Sequence, residues 1–458
     1  MSTKKYLLSL ALLMAASAVS AENPLVQTCY TTDPAPMVSG DRLYLYTGHD
    51  EDGADFFWMQ EWRVYSTDDM VNWTDHGSPL AIEDFAWGDD RAWAPQTIER
   101  NGKFYFYVPL HSKLTGAMAI GVAVGDTPTG PFKDALGKPL ADGNWAYIDP
   151  TVFIDDDGQA YLYWGNPEIY YVKLNDDMIS FEGEVQKMEM TVEGFGKGKM
   201  VEMEPGKDYR TTYTEGPWIM KRNGKYYMIY AAGGIPEHIA YSVSDTPTGP
   251  WKYMGVIMPQ SDGTNSFTNH PAVMDYKGKS YFFYHTGNLP GGGGFARSVA
   301  AEPFEYNADR TFPTILPTKE GAPAVGTLNP RTRVEAETMA WSEGVSSEQN
   351  DKTGVYVSDI HNGDYIKIAN ADFGKGGMKK FGASVASALR GGVIEVRLDS
   401  QDGPVLAELK VPGTGGWENW KYIETPVASD ATGVHDIYLV FKGRKGPKLF
   451  NFDYWQFK

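Results

Sequence analysis

Three carboxylates stand at matched places along the chain. Asp33 precedes Pro34 in "TTDPAPMV", Asp149 precedes Pro150 in "YIDPTVFI", and Glu215 precedes Gly216-Pro217 in "YTEGPWIM". One Asp before Pro is usually a turn cap. Three acids at equivalent places have fewer uses: they hold a metal, or they divide the work of acid and base. Like charges brought together push their pKa values apart, so one group keeps its proton while another stays ionised. Cleavage of a glycosidic bond needs that division, with one carboxyl protonating the leaving oxygen and another activating water.

A repeat must position these acids. A glycine turn followed by an aromatic strand recurs as "VSGDRLYLYTG" from Val38, "ERNGKFYFYVP" from Glu99, "DDDGQAYLYWG" from Asp155, "KRNGKYYMIYA" from Lys221 and "DYKGKSYFFYH" from Asp275. Each reads as a β-hairpin. Each follows a strand led by a proline (Pro34, Pro95, Pro150, Pro217, Pro271), at separations of 61, 55, 67 and 54 residues. The segments "DTPTGPF" at Asp126 and "DTPTGPW" at Asp245 follow the second and fourth hairpins. Five such units predict a five-bladed β-propeller of four-stranded blades, in which every first strand lines the central channel and starts at one rim. At that rim stand Asp33, Trp93 with Ala94, Asp149, Glu215 with Gly216, and His270. Three of the five positions carry an acid and none carries a lysine.

The segments "TTDPAPMV", "WAPQTIERNGKFYFY", "YIDPTVFIDDDGQAYLYWG" and "YTEGPWIMKRNGKYYMIY" resemble glycoside hydrolase family 43, over roughly residues 24–320. The resemblance implies an inverting enzyme on a five-bladed propeller. Asp33 would be the general base, Glu215 the general acid, and Asp149 the residue that tunes and orients the acid. Inversion needs acid and base roughly 6.5–9.5 Å apart, with a water between. The resemblance further implies substrate contacts from Trp93, Trp164, His270 and Arg297, and a calcium ion near His270 at the propeller axis. The glycine run Gly291–Gly294 lacks the Gly-Lys-Ser/Thr ending and following helix of a phosphate loop. The acidic "HDEDGAD" at His49–Asp55 reads as a solvated loop that could edge the pocket.

Composition narrows the partner. The formal net charge of −18 repels phosphate backbones, which sets nucleic acid aside. Neutral polysaccharide remains, and 13 Trp and 28 Tyr suit both strands and sugar stacking. The start, "MSTKKYLLSLALLMAASAVSAENP", has a basic region at Lys4-Lys5, an apolar core and small residues up to Ala21. It reads as a secretory signal peptide over residues 1–21, cleaved after Ala21, for a secreted or periplasmic protein. No other segment is long and apolar enough to span a membrane. With Cys29 the only cysteine, no internal disulfide can form.

The domains predicted are the propeller over 22–318, a Pro/Gly/Ala-rich linker over 319–330 and an all-β module over 331–458. In the module, "VEAE", "NGDYIKI", "VPGTGGWENWKYIETPV" and "LFNFDYWQF" resemble a family 6 carbohydrate-binding module, a β-sandwich of jelly-roll type. The resemblance implies a sugar held by Tyr365, Trp420 and Asn451, and a structural calcium ion on Glu335, Glu337 and Asp453. Oxygen-only ligands suit that ion. Asp359 stands where relatives often carry an aromatic. The resulting expectation is an exo-acting α-L-arabinofuranosidase acting on arabinoxylan. Its alternatives are a β-xylosidase, more distantly an endo-arabinanase or a fructan-type enzyme, and, in a different class, a non-catalytic carbohydrate-binding propeller.

Overall fold

The computed structural model describes residues 22–198, 210–260 and 262–458, so the expected signal peptide lies outside the described residues. The fold is all-β. The described helices are a single turn, Val192–Phe195, and two 3-10 turns.

Five antiparallel sheets follow one another along the chain. The first runs Thr31–Ser39, Arg42–His49, Glu61–Thr67, Trp73–Asp75. The second is built on Gln96–Arg100, Lys103–Ser112 and Ala117–Gly125. The third starts at Thr151–Ile154, the fourth at Tyr213–Arg222 and the fifth at Ala272–Tyr276. These five first strands pack against one another in chain order, and the fifth returns to the first. The chain start helps to close this circle: Leu25 N–H donates to the Val299 carbonyl at 2.8 Å and Thr31 N–H to the Arg297 carbonyl at 2.9 Å. Aromatic strands fill the space between sheets, as where Tyr46 meets Phe106 edge-on at 5.2 Å. The expectation of four strands per sheet is met in the third and fourth sheets. The first two carry added short strands, and the fifth has three among the described residues.

The C-terminal region is a sandwich of a six-stranded and a five-stranded sheet around its own apolar core. It is joined firmly to the first sheet. Strand Thr338–Met339 pairs with Trp73–Asp75, extending that sheet. The Asn72 side chain donates to the Ala369 carbonyl and accepts from the Ala369 N–H, each at 2.8 Å, as a neighbouring strand would. The stretch read as a linker is a bound strap. Ala322 is fully buried, Val325 N–H bonds to Asp69, and Leu328 and Asn370–Asp372 exchange backbone bonds.

Candidate active site

At three of the five lead prolines the rim is shaped by the residue before the proline. Asp33 and Asp149 have φ of 52° and 58°, and Gly216 has φ of 60°, all left-handed. For a residue with a Cβ this costs about 1–3 kcal/mol, strain typical of working sites. At the first strand the turn comes with a break in register between Thr32 and Ala35; at the fourth, between Tyr213 and Trp218. Position 216 cannot hold a side chain easily, since a Cβ there would come 3.1 Å from His270 Nδ1. The fourth acid position is therefore moved back one residue, and the longer side chain of Glu215 makes up the reach.

A cavity of about 590 Å³ lies at this rim, lined by Asp33, Trp93, Asp149, Glu215, His270 and Arg297, with Phe57, Trp145, Asn166 and His285 among the other walls. Asp33 is surrounded by donors. Its Oδ1 accepts from the Thr32 hydroxyl at 2.9 Å and lies 3.4 Å from Arg297 Nη1, 3.3 Å from His285 Nδ1 and 3.9 Å from His270 Nδ1. Burial alone would push the Asp33 carboxyl up. The Arg297 guanidinium, a hydrogen bond with His285 and the nearby His270 outweigh it and hold the group well below the usual carboxylate range. Arg297 is itself fixed by buried Asp50, through Nε at 2.9 Å and Nη2 at 2.8 Å, and its guanidinium lies over the Phe57 ring. Burial pushes His270 down to about 4, so its ring is neutral near pH 7.

The opposite wall is poor in cations. Asp149 Oδ2 accepts from Gly216 N–H at 2.9 Å, and Glu215 Oε2 accepts from Asn166 Nδ2 at 2.5 Å. Burial, together with the charges of Glu215 and Asp33, drives the Asp149 carboxyl well above its ordinary value. Burial and the charge of Asp33 also raise Glu215, against the bond from Asn166. One cavity thus faces one carboxyl pushed toward its ionised form and two pushed toward their protonated form, the pairing that acid–base hydrolysis uses.

Other expected residues stand elsewhere. Trp164 does not line this cavity: it is fully buried in the core of the third sheet, its ring 5.3 Å from that of Tyr147. The exposed tryptophan at the mouth is Trp145, 5.1 Å over the Arg91 guanidinium. Trp93 is at the wall, its indole N–H bonded to the Phe57 carbonyl at 3.0 Å. The "HDEDGAD" loop is not wholly solvated, because Asp50 is fully buried. Asp50, Asn166, His285 and Trp145 were not singled out from the sequence. His285 closes the fifth repeat and Asn166 follows the third by one residue, which is the only local signal they give.

In the sandwich, Tyr365 is on a different sheet from the other two expected ligands. It belongs to the five-stranded sheet and stacks on Tyr438 at 6.0 Å, whereas Trp420 and Asn451 belong to the six-stranded sheet. Trp420 meets Tyr356 edge-on, and Asn451 Nδ2 donates to the Trp417 carbonyl at 2.9 Å. Trp417, under the Lys448 ammonium at 5.0 Å, is the aromatic beside Asn451 that the sequence reading passed over. Glu335 is turned to Arg333 at 2.7 Å, and Asp453 lies 3.5 Å from the same guanidinium. Among the described residues no three His, Cys, Asp or Glu side chains form a metal cluster. One carboxylate oxygen nearby, Glu337 Oε2, is nevertheless buried without a hydrogen-bond partner, and Asp453 Oδ1 has only the long ion pair with Arg333.

An all-β scaffold that sets ionised and protonated carboxyls on one cavity has the equipment of a glycoside hydrolase. Comparison with known proteins specifies which. Residues 21–312 match Glycosyl hydrolases family 43, and residues 335–458 match Carbohydrate binding module (family 6). The chain is 36% identical to an arabinoxylan arabinofuranohydrolase of Paenibacillus polymyxa, over 95% of this chain and 74% of that one. It is 35% identical to another from Bacillus subtilis (strain 168), over 96% of this chain and 93% of that one. A solved structure of a Bacillus subtilis family 43 arabinoxylan arabinofuranohydrolase in complex with cellotetraose superposes with a TM-score of 0.81 at 32% identity, covering 97% of this chain and 99% of that one. The chain belongs to glycoside hydrolase family 43 and carries a family 6 carbohydrate-binding module.

Proposed function

We propose that this enzyme is an inverting, exo-acting α-L-arabinofuranosidase that removes arabinose side chains from arabinoxylan. The observation that carries the reading is the opposed electrostatics of one cavity, with the Asp33 carboxyl pushed down beside Arg297 and the Glu215 carboxyl pushed up on the side of Asp149. Asp33 takes a proton from water as the water attacks the anomeric carbon. Glu215 gives its proton to the glycosidic oxygen as the carbon–oxygen bond breaks. Asp149 tunes and orients Glu215, its Oδ2 holding the Gly216 N–H beside the acid. Five sheets with first strands packed in a closed circle are read as the blades of a propeller that brings these acids together.

The sugar class is supported by the two arabinofuranohydrolase relatives, which align along nearly the whole chain, module included. A cavity of about 590 Å³ suits a terminal sugar unit rather than a threaded polymer, and Trp145 at its mouth offers a face for the backbone to which that unit is attached.

The catalytic domain is assigned to 22–318 and the sugar-binding module to 331–458, with 319–330 as a fixed strap and residues 1–21 as an export signal removed after Ala21. In the module, Glu335, Glu337 and Asp453 would hold calcium. The buried Glu337 Oε2, left without a hydrogen-bond partner, is what a hard cation satisfies, and the ion would supply positive charge where the module's first and last strands meet.

Product analysis on wheat arabinoxylan, with nitrophenyl arabinofuranoside and xyloside alongside, tests the reading. Free arabinose with the xylan backbone intact is expected. Xylose released from chain ends would move the activity to β-xylosidase, and release of neither sugar would overturn the catalytic reading.

A further inference from the structure

Glu237 is a buried acid with no part in the steps above. It ends the turn between strands Lys225–Ala232 and His238–Ser244, is 4% exposed, and stands behind the cavity wall rather than lining it. Its N–H donates to the Phe267 carbonyl at 3.0 Å, and its Oε2 accepts from Asn269 N–H at 2.8 Å. This ties the turn to the segment that delivers His270. Its Oε1 is buried without a hydrogen-bond partner, and the strand register sets Glu215, Ala231 and Ile239 side by side, so the turn that ends at Glu237 lies next to Glu215 and the two carboxyls act on each other.

Two neighbouring carboxyl groups away from water resist ionising together, and a proton shared between such groups makes a strong hydrogen bond. The other groups that act on Glu237 are also negative or neutral: Asp149, Asp33 and the Tyr213 hydroxyl. Arg297 does not relieve it, being engaged by Asp50 and Asp33. Burial and the charges of Glu215, Asp149 and Asp33 all favour the protonated form of Glu237.

We propose that Glu237 is a positioning residue for the acid, donating a hydrogen bond to Glu215 that strengthens when Glu215 becomes a carboxylate. This rests on the reading of Glu215 as the acid. In that step the Glu215 O–H bond breaks, the proton bonds to the leaving oxygen, and the electron pair of the broken carbon–oxygen bond stays on that oxygen. The negative charge appears on Glu215, where Asn166 and Glu237 both donate to it. The Glu237 proton stays on Glu237. A hydrogen bond from a neutral donor gains strength when its acceptor becomes charged, so the contact favours the transition state over the bound substrate.

The test uses the full chain and aryl arabinofuranosides that differ in leaving group: dinitrophenyl, which departs without an acid, and phenyl, which needs one. In Glu237→Leu, kcat on the phenyl substrate should fall about 30-fold while the dinitrophenyl value stays within about threefold. In Glu237→Gln the amide can donate to Glu215 and still accept from Asn269. That variant should remain within about threefold on both substrates, with the alkaline limb of kcat/KM unmoved. An equal fall on both substrates in Glu237→Leu would reduce Glu237 to a structural latch and overturn the proposal, as would no fall on either. An alkaline limb displaced to lower pH in Glu237→Gln would mean that Glu237 is ionised at working pH, and would also overturn it. Glu215→Gln is run in parallel. If it loses both substrates equally, the acid assignment itself fails; if it shows the leaving-group dependence and Glu237→Leu does not, the proposal alone fails.

Discussion

Asp33 and Glu215 face one cavity, yet their carboxyl groups are driven in opposite directions. Around Asp33 stand a guanidinium, two imidazoles and a hydroxyl. Around Glu215 stand two further carboxyls, Asp149 and Glu237, and a single amide donor. Burial acts on both sides in the same sense, so it does not make the difference. What decides is where the one arginine of the cavity wall is anchored, and Asp50 anchors it on the Asp33 side. Residue type gives three interchangeable acids; the placement of one cation separates base from acid.

The widest break in this contrast comes from removing its poles. Asp33→Asn should lower kcat by about 1,000-fold on polymer and activated aryl glycoside alike, because every substrate needs the activated water. An Asp33→Asn enzyme that kept its rate on either would remove Asp33 from the base role. Next comes the cation. Arg297→Met leaves Asp33 and Asp50 buried without a countercharge, at a cost of about 3–5 kcal/mol in stability measured by denaturant unfolding. The milder Arg297→Lys weakens the paired contact, so the folded-state pKa of Asp33 rises. The acid limb of kcat/KM should then move to higher pH, since the ionised base is lost sooner as pH falls.

Asp149→Asn sharpens the opposite side. Asp149 and Glu215 oppose each other's ionisation, so with Asn in place of one of them the alkaline limb should move to lower pH. The same variant should melt higher than the parent at pH 8 and equally at pH 3. A carboxyl raised in the folded state is neutral in both states below its unfolded value, and its burial penalises the fold only as pH rises above that value. A melting difference that grew toward acid would contradict the raised pKa. The smallest effect lies outside the contrast, in the sandwich. Chelation by EDTA should lower the melting temperature of the module by about 5 °C while leaving hydrolysis of nitrophenyl arabinofuranoside unchanged. Identical melting curves with and without chelator would remove calcium from Glu335, Glu337 and Asp453.

The repeat made much of the site legible before any coordinates. Pro-led strands and glycine turns are local signals, and they put Asp33, Trp93, Asp149, Glu215 and His270 at matching places, all of which line the cavity. Residues that act through partners far along the chain gave no such signal. Asp50 is fixed by Arg297, 247 residues away, and Glu237 is tied to Asn269, 32 residues away. Trp164 and Trp145 show the limit for aromatics. One ends a fully buried strand and the other sits on a loop, and hydrophobicity does not distinguish a ring that packs from one that waits for a sugar. Tyr365 shows a related limit: alternation along a strand gives the face of a sheet, but not which of two sheets the strand joins.

The sequence by itself determined the all-β character, the five-fold repeat, the separate C-terminal unit and the three acids at the rim, because each is written in short-range patterns of turns, prolines and alternating apolar residues. Only the tertiary structure decided which acid is pushed toward its protonated form and which away from it. That depends on the distances from each carboxyl to Arg297, His285, Asn166 and Glu237, and on the water excluded between them. It likewise decided that the stretch 319–330 is a fixed strap and that the sandwich shares a strand with the first sheet. Electrostatic energies follow separation in space and the surrounding dielectric, and neither is encoded in spacing along the chain.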